Sequence, residues 1–148
     1  MSAERKALRE DLRVAVAAVM AGNPTWAGKS IISAWTTNLS PDALPVIGVA
    51  TPTEERDAAA QDTDFQTFVA VVVVKRAHKG GDGTELEDTL DDDAEALVGP
   101  IEAGVQAQGR DFALRSSAIE ISGEGSPRIG TLTLTFGATT TRARILPL

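Results

Sequence analysis

The residues able to do chemistry are few in this chain. Cysteine is absent and His78 is the only histidine. A serine or threonine nucleophile would therefore have one imidazole to draw on as its base. His78 stands just before Lys79 and Gly80, in a predicted loop, and reads as an exposed loop histidine. The densest acidic cluster is Glu87, Asp88, Asp91, Asp92, Asp93 and Glu95. Carboxylates of this kind bind hard cations, but their spacing is not that of the Asp-x-Asp-x-Asp-Gly calcium loop. The cluster reads instead as the acidic first turn of a helix, where the backbone dipole favours negative charge. Gly80-Gly81-Asp82-Gly83-Thr84 lacks the Gly-Lys-Ser/Thr ending of a phosphate loop and reads as a flexible connector. Neither a metal nor a cofactor is expected, and no catalytic constellation emerges.

Two further pairs have binding character. Trp26 and Trp35 could stack on a base or sugar, but with 4% aromatic residues and an acidic balance, packing in a core or interface is the better reading. Arg142 and Arg144 project to one side of an extended tail. Two arginines make a poor nucleic-acid site, so acidic groups of a protein partner are favoured.

The elements that must position these residues follow from hydrophobic period. Leu8, Leu12, Ala15, Val16, Val19 and Met20 form one helical stripe, with Ser2 as the cap and Gly22-Asn23-Pro24 as the stop. Lys6, Arg9, Glu10 and Arg13 occupy much of the opposite side. Strand character follows at 30–35 and 44–50. The polar segment 51–64 has no apolar period. It is either a long loop or a hairpin arm that needs a neighbour to become ordered. The clearest strand is 65–76, with Phe65, Thr67, Val69, Val71 and Val73 on one face and Phe68, Ala70, Val72 and Val74 on the other. Apolar side chains on both faces predict cover on both sides: helices of this chain on one, more strands or another subunit on the other. A loop at 77–88 precedes a second helix at about 89–108, which Pro100 should kink or break. A strand at 117–122 and an alternating strand at 129–136 (Leu132, Leu134 and Phe136 inward, Thr131, Thr133 and Thr135 outward) form a closing hairpin. The tail, 137–148, stays extended and ends in Ile145-Leu146-Pro147-Leu148.

The order is α-β-β-β-α-β-β. The expected fold is α+β: one domain over 1–148, with a single mostly antiparallel sheet and both helices on one face. With 148 residues the chain is about one domain and can bury a full core. Acidic residues number 21 against 14 basic, a net charge of −7. Gripping DNA through its phosphates needs a basic face, which is not evident here. The opening residues do not read as a signal peptide. The apolar run 68–74 is far shorter than the roughly 20 residues of a membrane span.

In order and pattern these elements resemble the lambda-type tail terminators of long-tailed bacteriophages. The likeness is carried by the helix opening Leu8-Arg9-Glu10-Asp11-Leu12-Arg13, the strand Leu44-Pro45-Val46-Ile47-Gly48-Val49 and the long strand Asp64–Val74. The acidic helix Leu90–Leu97, its later proline and the closing hairpin complete it. It covers nearly the whole chain but contains no invariant motif. The resemblance implies a structural virion protein, not an enzyme: a hexameric ring at the head-proximal end of the tail, assembled in the host cytoplasm. Such a ring caps the tail tube protein, meets the head–tail connector proteins and lets DNA pass through its lumen without specific binding. Candidate subunit or tube contacts are Glu54, Glu55, Arg56, Asp57 and Asp62 in the polar segment, Asp82 in the glycine loop, and Arg142 and Arg144 in the tail. Ring interfaces are heterologous, and the acidic segment of one subunit could meet the arginine tail of the next. The rival readings are another head–tail connector or neck protein, and a small-molecule-binding α+β domain with a concave polar pocket.

Overall fold

The computed structural model describes residues 3–36, 39–60, 63–122 and 127–143. Helix α1 is Ala3–Ala21, and a short 3-10 turn follows at Pro24–Trp26. Strands β1 (Ile31–Ser33), β2 (Val46–Ala60) and β3 (Thr63–His78) precede helix α2 (Thr84–Gln106). Strands β4 (Asp111–Ile121) and β5 (Arg128–Ala143) close the chain. The five strands form one sheet in the order β1-β2-β3-β5-β4. All neighbours are antiparallel except the short β1, which runs parallel to β2. The fold is thus α+β with a mixed sheet.

Both helices lie on one face. Phe68, Ala70, Val72 and Val74 of β3 point into the core, with Leu132, Leu134, Phe136 and Ala138 of β5 beside them. Leu8, Leu12 and Val16 of α1 and Leu90, Leu97 and Ile101 of α2 close over that layer. The helices approach closely because Gly104 sits against Ala15, where a Cβ on the glycine would lie 2.9 Å from the alanine methyl.

Several expectations change. Of the two readings of the polar segment, the described residues follow the hairpin arm. β2 continues to Ala60 and β3 returns from Thr63, with β5 flanking β3 through the pair Thr63↔Ala143. Polar strands without apolar alternation hold here because their backbone bonds are made within the sheet. Helix α2 starts at Thr84, five residues earlier than expected. The Asp82 carboxylate accepts the Thr84 N–H at 3.0 Å, and Gly83 takes a φ of 98° that leads the chain into the first turn. The expected loop shrinks accordingly, and Asp91, Asp92 and Asp93 move out of the first turn, which holds Glu85 and Glu87 instead. Pro100 does not break α2, which runs on to Gln106. Ala96 and Pro100 both face outward, so water can take the carbonyl the proline leaves unbonded. β4 begins at Asp111, earlier than expected, because Phe112 reaches the core and stacks on Phe136 at 4.8 Å. β1 ends at Ser33, leaving Trp35 outside it and 70% exposed, whereas Trp26 is buried.

Candidate subunit interface

The far face of the sheet is built from alternate residues. Val69, Val71 and Val73 of β3 stand beside Gly137, Thr135 and Thr133 of β5. Ser116 and Ala118 of β4 lie opposite Thr135 and Thr133 on the other side. The valines and threonines are partly exposed and no described helix covers them. Among the described residues backbone covers this face near the β1 edge, where the chain at Ala34 crosses so close to Gly48 that an added Cβ would meet Ala34 backbone at 3.0 Å. Near the other edge the Arg115 guanidinium lies over Gly137, in the space a side chain would fill. The two-sided apolar pattern of β3 therefore has one face buried by this chain and one left half open.

Among the described residues the sheet has two free edges. β1 pairs with β2 only at Ile47–Val49, so among the described residues the outer side of β2 from Ala50 to Ala60 pairs with no strand. β4 is the opposite edge along its full length. One of its amides, Leu114 N–H, is taken by the Glu102 carboxylate of α2 at 2.9 Å.

The sequence-derived contact residues are distributed over these features. Glu55, Arg56 and Asp57 are exposed on β2, in the arm. Glu54 is not a surface group as expected: its side chain is 11% exposed and one carboxylate oxygen lies 3.4 Å from Arg56 Nη2. The bulge between Ala50 and Thr53 reverses which residues of β2 face inward, and turns Glu54 toward the helix side beside Phe68. Asp82 is exposed and occupied in capping α2. Its pKa is lowered, first by the hydrogen bond from the Thr84 side chain and then by that from the Thr84 backbone. Arg142 stands opposite Asp64 in the β3–β5 ladder, so this arginine and the acidic segment belong to the same arm of one chain. Asp62, Arg144 and the apolar end 145–148 lie outside the described residues, as does Ser2. His78 is exposed, with Nε2 3.7 Å from a Glu85 carboxylate oxygen. Among the described residues, no three His, Asp or Glu side chains are grouped as a metal site would need.

Two features had no sequence signal. Gln66 is fully buried at the base of the arm, and among the described residues neither its amide oxygen nor its amide nitrogen has a hydrogen-bond partner. Thr51 is buried on the adjoining strand with its hydroxyl likewise unbonded. Thr51 lies in the polar segment 51–64, whereas Gln66 lies in the strand read as 65–76. A groove of about 570 Å³ opens between the end of α1 and the Pro24–Trp26 turn. Its lining is mostly small or apolar, including Met20, Pro24, Trp26 and Ile31. Its one charged group, Lys29, is bonded to the Ala43 carbonyl. Comparison with known proteins returns no matching family model and no matching curated protein.

Proposed function

We propose that this chain is a structural ring subunit that caps the tail tube of a long-tailed bacteriophage, ends its polymerisation and presents a surface for head attachment. The observation that carries the proposal is the pair of free strand edges on opposite sides of one sheet. β2 and β4 run in opposite directions, because each step from β2 through β3 and β5 to β4 is antiparallel. Copies standing side by side in the same orientation can therefore add β4 of one to the arm edge of β2 in the next, as an antiparallel pair. The two patches differ, so the contact is heterologous and closes into a ring when its rotation divides a full turn. The half-open Val69–Val71–Val73 face adds surface of the kind buried in assemblies. The order of elements, which resembles lambda-type tail terminators, supplies the assignment to a tail.

The test is the mass of the purified protein, free and on tube ends, together with tube length. The expected result is about six copies at one end of each tube, and tubes that overgrow when the protein is withheld. A monomer both in solution and in the presence of polymerising tube protein, with tube length unchanged, rules the proposal out.

A further inference from the structure

The helix layer has two flanks of opposite charge with the same spacing. α1 carries Lys6, Arg9 and Arg13 at positions i, i+3 and i+7, on the side that borders Ser33, Trp35 and Ala50. α2 carries Asp88, Asp91 and Glu95 at the same spacing. Residues seven apart share a helix face. Glu95 therefore stands on the face of Glu102, whose carboxylate reaches β4, and the acidic row borders the β4 edge. The rows thus sit on the two flanks that also carry the free strand edges.

Neither row is balanced from its own element. α2 contains eight acidic residues and no lysine, arginine or histidine. Within the basic row the only acid is Glu10, which accepts from Arg13 at 2.8 Å and leaves Lys6 and Arg9 in excess. Lys6 also lies close to the N-terminus of α1, where the helix dipole makes positive charge unfavourable. Trp35, 70% exposed, stands among these bases. A large exposed aromatic ringed by arginines is the composition of an interface hot spot.

We infer that the Lys6–Arg9–Arg13 flank with Trp35 docks on the Asp88–Asp91–Glu95 flank of a second copy of this chain. The inference rests on the ring reading above and names the contact that locks neighbours together. The geometry adds a constraint. α1 and α2 are antiparallel, with Ala15 on Gly104 and Asp11 bonded to Arg110. The basic row is therefore at the arm end of the layer and the acidic row at the other end, so neighbours that join them are staggered along the strands. The strand edges require a stagger of the same sense. The free part of β2 lies level with Thr63–Val71 of β3, whereas β4 lies level with Thr67–Arg76, further from the arm tip. Strand tilt in a closed ring produces such an offset.

The test compares assembly of the full-length protein with Arg9→Glu/Arg13→Glu, with Asp91→Arg/Glu95→Arg, and with an equimolar mixture of the two. Mass is measured at low and high salt, in solution and with tube protein. Each variant keeps one native flank, so an alternating mixture pairs opposite charges at both kinds of contact, one native and one reversed, which neither variant does alone. The expected result is that each variant assembles at least tenfold more weakly than the parent and that mixing recovers heterotypic pairs, with carbodiimide coupling Lys6 to an α2 carboxylate across copies of the parent. Parental rings that survive both reversals unchanged overturn the latch while leaving the ring intact. A parent that never assembles, with or without tube protein, overturns the ring and the latch together. Unchanged circular dichroism in the variants separates lost docking from lost folding.

Discussion

Arg76 on β3 and Asp93 on α2 form a two-point ion pair, with Nε 2.5 Å from Oδ2 and Nη2 2.7 Å from Oδ1. The side chains are only 18% and 10% exposed, and the guanidinium also lies 5.3 Å from the centre of the buried Trp26 ring. One arginine thus ties the sheet, the second helix and the turn after α1 together. Planar two-point contact is what guanidinium and carboxylate do best. This makes Asp93 the one member of the acidic run whose role is internal.

Breaking that pair from one side should be severe. Asp93→Ala strands a largely buried guanidinium and is expected to cost about 3 kcal/mol, by denaturant midpoint at constant slope. Replacing both partners, as Arg76→Leu with Asp93→Leu, should recover much of the loss.

Two glycines of α2 should respond with opposite sign. Gly104→Ala drives a methyl into Ala15 and is expected to destabilise by about 1–3 kcal/mol. Gly99 has open space where its Cβ would be, so Gly99→Ala should stabilise by up to about 1 kcal/mol through helix propensity. Thermal melts of the two variants give the comparison.

Gln66 is buried with its amide unbonded among the described residues, which is costly for a polar group. Gln66→Met keeps the volume and removes the polar atoms. A gain of about 1 kcal/mol in unfolding free energy is expected.

Charge on the β4 edge should block strand addition with little effect on the single chain. Ser116 and Ala118 are exposed there. Ser116→Lys with Ala118→Lys is expected to change stability by no more than about 0.5 kcal/mol per site, while the assembled fraction falls, as seen by analytical ultracentrifugation.

Asp82 supplies a pH dependence whose sign can be worked out. Its carboxyl is held below the ordinary value of 3.8 by the Thr84 bonds, so the charged form is favoured in the folded state. The cap is present above the unfolded value and is lost as pH falls through the folded one. Carboxyl resonances followed by NMR should show Asp82 titrating below its ordinary value of 3.8. Asp82→Asn should remove the acid-dependent loosening of the first turn of α2.

The sequence left open which face of β3, apolar on both, points inward, but by itself it determined the buried stripes of the two helices and the inward face of β5. Each rests on a period of apolar residues along one element, and such a period records which side meets the core. Leu8, Leu12 and Val16 or Leu132, Leu134 and Phe136 therefore needed no neighbour to be read correctly. Only the tertiary structure decided the fate of the polar residues. Segment 51–60 is strand because β3 pairs with it, and Asp93 is internal because Arg76 faces it across the layer. Glu54 turns inward because a bulge changes the parity of β2, and the two charged flanks are opposed because α1 and α2 lie antiparallel on one sheet. A polar side chain carries no signal of its own burial. Its position depends on a partner distant in the chain, and folding alone brings that partner within reach.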